Sequence, residues 1–366
     1  MIKILQVLDC LGTGGIQSFI MNIYRNIDKR QYKFDFLVTR RLENSLEKEA
    51  EELGANIYVV PPRSQGIIKN KQALKRFFSE HSDYDVIHEH ESSLSYVEPL
   101  ITGKQFGIPQ RIFHSHNTNQ KGFVHKVSHI FNQIRLRNIV TDVFACSELA
   151  AKWVLGNPNR DYPYVFIPNG IDVNRFEFNE VYRTELKKEF GIEEDYSVLG
   201  LIGRLTWQKN HKFLIDVFDS LCKNGKYKLL LIGDGELRTE LENYAKTKKC
   251  CANIIFVGDR NDAYKFYSVL DCMIMPSINE GLPVTLVEAQ ASGLPCFVSD
   301  KVTKMVKITD LLHYLPLRNN PIEWAEYIKS FSKEQCRRSY LNEVLKSAFN
   351  ICNTVRIIEN EYNKNH

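Results

Sequence analysis

Short apolar segments alternate along the chain with longer segments in which apolar and charged positions recur at helical spacing. The apolar segments are rich in Val, Ile, Leu and Phe with few polar interruptions, which is typical of parallel strands buried on both faces. Strands alternating with helices predict an α/β protein, and two successive series predict two doubly wound, Rossmann-like domains. The predicted strands are IKILQVL, KFDFLV, NIYVV, DVIH, RIFHSH, DVFAC and YVFIP, then VLGLIG, KLLLIG, IIFVG, CMIMP and PCFVS.

The turn-forming segment IPNGID, residues 167–172, separates the two series. Pro, Asn and Gly are the residues that turns require. We therefore predict an N-terminal domain at 1–172 and a C-terminal domain at 173–350. A final helical segment at about 351–366 has no strand after it. The length of 366 residues fits two domains of about 150–200 residues each.

Composition indicates a cytoplasmic protein. The apolar run at the N-terminus is too short for a signal peptide, and no 18 apolar residues follow one another as a membrane span requires. The nine cysteines are odd in number and show neither a CxxC pair nor zinc spacing, which favours free thiols in a reducing compartment.

The net charge of +4 is unevenly distributed. No acidic residue occurs between Glu98 and Asp142, and a positive field of this kind suits phosphate groups or acidic lipid heads. Residues 67–78 and 120–140 combine Lys and Arg with Phe and Ile as interfacial helices do. We expect peripheral contact with an anionic membrane there; the alternative is that both are ordinary amphipathic helices packed on their own sheet.

The segment PSINEGLPVTLVEAQASGLP, residues 276–295, predicts a strand, a polar loop and a helix that begins near Val284. Such a loop lies at the carboxyl end of a parallel strand, where open α/β sheets bind ligands. Glu280 precedes Gly281 in this loop, and the free N–H groups of the following helix suit an anion. Glu288, inside the helix, is positioned to accept two hydrogen bonds from a ribose diol.

The segment GRLTWQKN follows the first strand of the second series. Gly203 ends that strand, so Arg204 and Lys209 are predicted to lie at the same carboxyl edge. Two fixed cations there would stabilise negative charge on a departing diphosphate without a metal ion. The Asp-x-Asp sequence at residues 83–85 precedes a strand and lies at its amino end, so we interpret it as a turn.

Gly12, Gly14 and Gly15 follow the first strand and open a helix at Ile16, which lets the backbone approach a phosphate or a sugar. The spacing is Gly-x-Gly-Gly rather than the dinucleotide-binding Gly-x-Gly-x-x-Gly. The second strand ends in FLVTR, without an acid for an adenosine ribose. A nicotinamide-dependent dehydrogenase is therefore not indicated.

Two histidine pairs occur in predicted strands of the first domain. His114 and His116 alternate, so both face the ligand side or both pack in the core. His88 and His90 in DVIHEH form a similar pair, which we interpret as structural.

Five features together resemble the family 4 glycosyltransferases, a group with the GT-B fold. They are the two glutamates Glu280 and Glu288 with seven residues between them, and, in the family's order, GTGG, HSHN, IPNGID and GRLTWQKN. The flanking sequence is most similar to capsular and exopolysaccharide enzymes. The resemblance implies two Rossmann-like domains facing across a cleft, with the final helix crossing back onto the first domain.

The resemblance also implies a retaining, metal-independent transfer of a hexose or N-acetylhexosamine from a nucleotide diphosphate sugar, with UDP the expected nucleotide. It assigns sugar contacts to Glu280 and to one histidine, aligned to His116 with His114 left open. Glu280, His116, Arg204 and Lys209 are the expected catalytic residues. The expected donor-binding residues are Gly15, Arg204, Lys209, Arg260, Glu280, Gly281, Leu282, Pro283 and Glu288. The expected acceptor-side residues are Gly14, Gly15, His116 and Asn117.

No metal and no cofactor besides the nucleotide sugar is expected. The acceptor is expected to be a glycan, lipid-linked, used in bacterial surface polysaccharide synthesis. Two alternatives stay open: a GT-B nucleotide-sugar epimerase, and a non-catalytic nucleotide-sugar-binding subunit of a partner transferase. The basic stretch matches no nucleic-acid-binding motif, so nucleic acid is not an expected partner.

Overall fold

Parallel strands alternate with helices in the computed structural model, which describes residues 1–12, 14–42, 45–116, 123–156, 163–222, 225–331 and 340–365. The strands are β1 (Ile2–Val7), β2 (Tyr32–Val38), β3 (Ile57–Val59), β4 (Val86–Glu91), β5 (Gln110–Ser115), β6 (Asp142–Ala145), β7 (Val165–Phe166), β8 (Ser197–Ile202), β9 (Tyr227–Ile232), β10 (Ile254–Gly258), β11 (Cys272–Met275), β12 (Cys296–Ser299) and β13 (Leu312–Leu315).

The α-helices of the described residues connect these strands. They are α1 (Gly15–Asn26), α2 (Glu47–Glu52), α3 (Ile67–Glu80), α4 (Glu98–Gln105), α5 (Phe123–Ile139), α6 (Glu148–Leu155), α7 (Glu180–Glu189), α8 (His211–Cys222), α9 (Arg238–Lys246), α10 (Phe266–Val269), α11 (Val284–Ala291), α12 (Pro321–Ser330), α13 (Leu341–Lys346) and α14 (Ile351–Tyr362).

The chain divides into two compact units. Unit 1 comprises Met1–Ile171 and Ile351–His366, and unit 2 comprises Asp172–Asn350. The division lies one residue from the boundary expected from IPNGID. Unit 1 contains a seven-stranded parallel sheet in the order β3-β2-β1-β4-β5-β6-β7, and unit 2 a six-stranded parallel sheet in the order β10-β9-β8-β11-β12-β13.

The sheet of unit 1 is covered on both faces. Adjacent residues of a strand point to opposite faces, so Ile4 packs in a core shared with α1 and α14 while Leu5 packs in a second core with α3, α4 and α5. This arrangement explains why the strands are almost continuously apolar.

Helix α14 belongs to unit 1 although 179 residues of unit 2 precede it in the chain. Its apolar side enters the core beside α1. The junction turn holds its first two turns, because the Ile351 N–H donates to the Ile171 carbonyl at 2.9 Å and the Thr354 hydroxyl to the Pro168 carbonyl at 3.1 Å. The crossing helix is thus fixed by packing and by backbone hydrogen bonds.

In each sheet the strand order reverses beside the first strand of the unit. β1 lies between β2 and β4, and β8 lies between β9 and β11. At such a point successive crossovers run in opposite directions and leave a crevice at the carboxyl ends of the strands, where ligands bind in this class of sheet.

The structure differs from the expected elements at one strand of each unit. Strand β13, sequence LHYL, pairs with β12 and was not predicted, because its His313 and Tyr314 interrupt the apolar run of four residues. The strand expected at YVFIP is only the two-residue β7.

No helix among the described residues is long and apolar enough to cross a membrane.

Gly170 gives a test of the junction turn. A Cβ there would lie 2.4 Å from Thr354 Oγ1 and 2.9 Å from the Ile351 Cα. Because backbone cannot move aside as a flexible side chain can, we expect Gly170→Ala to destabilise unit 1 by about 1–3 kcal/mol, measured by urea unfolding. Gly15→Ala is the control, since its Cβ meets nothing within 4 Å. Equal midpoints for both variants would contradict the docking of α14.

Candidate active site

The best-defined polar cluster of unit 2 lies where the loops after β8 and β11 meet. Lys209 Nζ contacts Glu280 Oε1 at 2.7 Å, with side-chain exposures of 15% and 9%. The two residues are 71 positions apart and come from the two strands that flank the reversal of strand order. Their shielded contact places a fixed cation and a fixed carboxylate at the carboxyl edge of the sheet.

Neighbouring polar groups fix Glu280 from several sides. The Ser277 hydroxyl donates to Oε1 at 3.0 Å. The Gln208 amide donates to the Asn279 carbonyl at 2.8 Å, and the Ile278 N–H donates back to the Gln208 carbonyl at 2.9 Å. The carboxylate is therefore oriented before any ligand arrives.

Close backbone packing brings the β8 loop to this position. Gly233 has a φ of 127°, and a Cβ on it would lie 2.4 Å from the Gly203 carbonyl oxygen. At Gly203 a Cβ would lie 3.2 Å from Lys209 Cε. Side chains at these glycines would push Lys209 away from Glu280. The Gly233–Gly235 loop thus supports the site through its backbone.

Arg204 emerges from the end of β8 and is exposed. Among the residues that the structure describes, it takes part in no ion pair. Lys209, by contrast, is paired with Glu280, which offsets its positive charge. Its ammonium group has three N–H donors, so this contact does not use all of them. Arg204 therefore supplies the uncompensated positive charge of this edge.

Helix α11 begins directly after the loop, with Gly281 exposed and Pro283 at its N-cap. Its first turn contains no acidic residue, so the positive end of its dipole is not offset. Leu282 lies between these two residues, half-buried. The helix tip offers N–H groups to an anion beside the Lys209–Glu280 pair.

Glu288 lies one turn into α11 and accepts a hydrogen bond from the Tyr267 hydroxyl. Burial raises the pKa of Glu288 to about 7, while the bond from Tyr267 and the charge of Arg175 lower it. The carboxyl group thus changes its ionisation near neutral pH, although carboxyls ordinarily do so near pH 4.

Arg260 is already paired. Its guanidinium contacts Asp262 at 2.7 Å and Glu189 at 2.6 Å. These contacts raise its pKa and use most of its donors. The expected contact with a nucleotide base stays a prediction, and the pairing does not favour it.

In unit 1, the glycine-rich loop leads into α1, with Gly14 at the N-cap and Gly15 as the first helical residue. A Cβ on Gly15 would meet nothing within 4 Å, whereas one on Gly14 would lie 2.6 Å from Gln17 Oε1. The Gln17 amide in turn donates to the Cys10 carbonyl at 3.0 Å. Gly15 therefore faces open space, with no acid in the first turn of the helix.

Four histidines, two on β4, one on β5 and one directly after β5, form a hydrogen-bonded ladder. The two rows are His88 with His114, 3.1 Å between ring nitrogens, and His90 with His116, 3.0 Å. Rings of neighbouring rows stack with centroids 4.1 Å apart. The rows end at two residues outside these strands, Tyr362 of α14 for His88 at 2.7 Å and Gln6 of β1 for His90 at 2.7 Å.

This ladder assigns the tautomer of His116. Burial lowers the pKa of His90 well below its usual value and that of His116 to about 3, so both rings are neutral. His90 Nε2 faces the Gln6 carbonyl oxygen and must donate, which leaves His90 Nδ1 as an acceptor. His116 Nε2 then donates to it, and His116 Nδ1 keeps its lone pair. The assignment follows the orientation of the Gln6 amide.

Burial distinguishes His114 of β5 from His116, the residue that follows this strand. His114 is fully buried, whereas His116, at the end of the strand, keeps part of its surface exposed. The exposure favours His116 for ligand contact. His88 and His90 are buried in the ladder, as their structural interpretation requires. Asn117 lies outside the described residues.

Among the described residues, three histidines of the ladder form the group most suited to hold a metal ion. Ligand nitrogens of His88, His90 and His114 lie within 4.8 Å of one another. Five of their six ring nitrogens already hydrogen-bond, and only His114 Nε2 lacks a partner among the described residues. An ion would have to break these bonds, and the expected absence of a metal stays a prediction.

The Asp83–Asp85 segment lies at the amino end of β4. There the Lys3 side chain pairs with Asp83, and the Lys3 backbone N–H donates to the Asp85 carboxylate.

Several residues of these sites were not singled out from the sequence. Tyr267 and Gln208 carry no pattern that marks them. Glu89 and Glu91, in contrast, are acids inside a buried strand, which is a signal that sequence reasoning passed over in favour of the adjacent histidines.

Comparisons with known proteins agree with this arrangement. Residues 182–347 match the family model described as "Glycosyl transferases group 1", and residues 13–175 match "Glycosyltransferase Family 4". The chain is 32% identical to "Putative glycosyltransferase EpsF" of Bacillus subtilis (strain 168), covering 94% of this chain and 91% of that protein. It is 27% identical to "UDP-Gal:alpha-D-GlcNAc-diphosphoundecaprenol alpha-1,3-galactosyltransferase" of Escherichia coli, covering 65% and 64%.

Among solved structures, Anabaena Alr3699/HepE in complex with UDP and glucose superposes with a TM-score of 0.77 at 17% identity, with all of both chains covered. At this identity the likeness concerns the fold, which is GT-B in both proteins. The similarity along nearly the whole length, together with both family models, shows that this chain belongs to the family 4 glycosyltransferases.

Proposed function

We propose that the chain transfers a hexose or N-acetylhexosamine, with retention of configuration, from a UDP-sugar to a lipid-linked glycan in the synthesis of a bacterial surface polysaccharide. The observation that carries the proposal is the Lys209–Glu280 pair beside Arg204 and the tip of α11. The name of the Escherichia coli relative and the ligands of the Anabaena structure support UDP-sugars and a diphospholipid-linked acceptor.

The diphosphate is bound by charge and by helix N–H groups. Arg204 has no carboxylate partner among the described residues, and Lys209 has donors left after contacting Glu280. As the bond from the sugar C1 to the phosphate oxygen breaks, its electron pair stays on that oxygen. The two cations stabilise this charge in place of a metal ion.

Glu280 orients the transferred sugar. Because one of its oxygens is held by both Lys209 and Ser277, the carboxylate is a poor nucleophile. The acceptor hydroxyl therefore attacks C1 on the face that the diphosphate leaves. Its proton passes to the departing phosphate oxygen, so that no protein base is needed.

Glu288 and His116 bind other parts of the donor. Glu288 accepts from the ribose hydroxyls when it is ionised. His116, neutral and with the Nδ1 lone pair assigned by its ladder, accepts a hydrogen bond from a sugar hydroxyl.

Helix α5 is the surface that we propose for contact with an anionic membrane. Its outer side exposes an apolar stripe at positions 127, 130, 131 and 134, and Ile134 is 78% exposed. Lys126 is exposed nearby, and the Arg135 guanidinium stacks on the Phe131 ring at 4.9 Å. Apolar residues flanked by cations suit a surface of anionic lipid heads.

Less of the segment 67–78 is available for membrane contact than the sequence suggested. Phe77 and Phe78 of α3 are buried in the core of unit 1, so they do not face a membrane. Only Ile67 and Ile68 are exposed apolar residues of this helix. The sequence could not show which side of α3 packs on the sheet.

The first prediction concerns the cations. We expect Arg204→Ala and Lys209→Ala to lower kcat by about 10²–10³-fold, equivalent to about 2.7–4 kcal/mol of barrier, because each removes a donor to the leaving group. Donor consumption and product formation are followed by chromatography. Lys212→Ala is the control, since this exposed lysine of α8 pairs with Glu240 instead. EDTA should leave the wild-type rate unchanged.

Glu280→Gln extends this test to the carboxylate, because the amide keeps the shape and removes the charge. Near wild-type transfer by both Arg204→Ala and Glu280→Gln would contradict the site assignment. Conversion of the donor to an epimer without any acceptor would instead indicate the epimerase.

The second prediction concerns pH. Since Glu288 has a pKa of about 7 and binds ribose as the carboxylate, donor affinity should rise with pH through this value and be about tenfold weaker at pH 6 than at pH 8. Tyr267→Phe removes a bond that lowers this pKa, so its midpoint should move to higher pH. The measurement is calorimetric titration with the UDP-sugar that gives the largest thermal shift in a panel. A wild-type midpoint that persists in Glu288→Gln would refute the assignment.

The third prediction concerns the membrane. The double variant Lys126→Gln/Arg135→Gln should bind phosphatidylglycerol vesicles about 2 kcal/mol, or roughly thirtyfold, more weakly, at about 1 kcal/mol per cation. Ile134→Ser should also weaken binding, whereas Val181→Ser, at a position of α7 that is 61% exposed, should not. Vesicle co-sedimentation at low and high salt measures both effects. Equal binding by wild type and the double variant at low salt would exclude this surface.

A further inference from the structure

A cavity of about 440 Å³ opens in unit 1 at the carboxyl ends of β1 and β4. It lies at the reversal of strand order, which is the ligand-binding position of this type of sheet. Glu89 and Glu91 of β4 line it together with Arg63 and Tyr96. Because side chains alternate along a strand, these glutamates face away from His88 and His90. The cavity is therefore separate from the histidine ladder.

Glu89 is the most unusual group of the cavity wall. Its side chain is fully buried, and neither carboxyl oxygen has a hydrogen-bond partner among the described residues. Burial raises its pKa well above the usual range, and the charges of Glu91 and Glu98 add to this effect. This shift favours the protonated acid, which has one O–H donor and an acceptor oxygen unused. Buried polar groups without partners are rare and call for a ligand or water.

Several other polar groups around the cavity are already engaged. Asp9 pairs with Arg40 at 2.6 Å. Arg63 donates to the Ser95 carbonyl at 2.5 Å and lies 3.6 Å from Glu98. The Tyr96 hydroxyl contacts the Asn70 amide at 3.1 Å.

Glu91 accepts a hydrogen bond from the Ser92 N–H, and burial raises its pKa to about 7. The two glutamates are thus available to recognise a ligand, together with His125 and Ser128, which also line the cavity.

Their chemistry selects for uncharged, hydroxyl-bearing ligands. Neither glutamate offers a positive charge, and Glu91 in its ionised form repels phosphate and carboxylate groups, so the cavity favours an uncharged ligand. A sugar hydroxyl both donates and accepts, which matches a protonated Glu89 next to Glu91. Val7, Leu8 and Pro62 provide apolar wall for the C–H face of a sugar ring. The volume lies within the range of small-molecule sites.

We propose that Glu89 and Glu91 bind hydroxyl groups of an uncharged sugar ring of the acceptor glycan in this cavity. The inference rests on the proposed function, because only a transferase needs an acceptor glycan. It adds to that function two specificity residues and a restriction: the acceptor sugar in this cavity carries no acidic group.

The experiment measures binding without catalysis. The probes are the methyl glycosides of glucose, galactose and N-acetylglucosamine, observed by saturation-transfer NMR on the full chain with saturating UDP. Glucuronic acid and glucose 1-phosphate are the charged comparison. We expect at least one neutral glycoside to bind wild type and Glu89→Gln, since the amide keeps a donor and an acceptor. Glu89→Leu should weaken that binding about 5–150-fold, the range for one buried hydrogen-bonding group left unpaired.

Glu148→Leu, an exposed glutamate of α6 in the same unit, is the matched control and should bind as wild type. Thermal shift by UDP tests unit 2 separately: it should be the same in all variants and also reports that each is folded. Equal binding by wild type and Glu89→Leu, no binding of any neutral glycoside, or equal binding of the charged sugars would each overturn the inference. In those cases an unchanged UDP shift leaves the proposed donor site standing, whereas its absence in wild type contradicts the proposed function itself.

Discussion

The reversal of strand order beside the first strand of each unit is the constraint on which both candidate sites depend. β1 lies between β2 and β4, and β8 between β9 and β11, so the loops that follow these strands separate at the carboxyl edge. In unit 1 the gap is the cavity lined by Glu89 and Glu91. In unit 2 the gap holds Lys209 and Glu280. The topology therefore determines where a ligand can bind in each unit. The residues on the strands and in the loops that follow them determine the chemistry of each site.

The Lys209–Glu280 pair makes more sense as part of a binding site than as a source of stability. Removing two charges from water costs free energy that their attraction in a protein interior often only balances. Apolar residues of similar size would hold the two loops together at least as well. In the proposed function the pair would keep a cation and a carboxylate in fixed positions before a ligand arrives, so that little reorganisation would be needed when the negative charge develops. Arg204, exposed and outside the pair, would then supply the net attraction for the diphosphate of the proposed donor.

Much of this arrangement was predictable from sequence, because local patterns determine it. Continuous apolar runs identified the buried strands, and the loop before α11 identified Glu280 and Glu288. The partners of other site residues were not predictable, since they are remote in the chain. Tyr362 hydrogen-bonds to His88 from 274 residues away, and Glu189 pairs with Arg260 from 71 residues away. Strand β13 was not predicted because His313 and Tyr314 interrupt its apolar pattern. The alternating acids of β4 were visible, but only burial shows that Glu89 has no partner among the described residues.

Helix α5 connects the cavity of unit 1 with the proposed membrane surface. His125 and Ser128 line the cavity, whereas positions 127, 130, 131 and 134 form the exposed apolar stripe on another side of the same helix. A helix with its side chains is about 10–12 Å across. If the stripe rests on lipid, the cavity lies within about one helix diameter of the surface. A glycan on a lipid diphosphate would then keep its phosphates near Lys126 and Arg135 while its neutral sugar reaches the acids. The contrast between a basic surface and an acidic cavity would thus fix the direction in which such an acceptor enters.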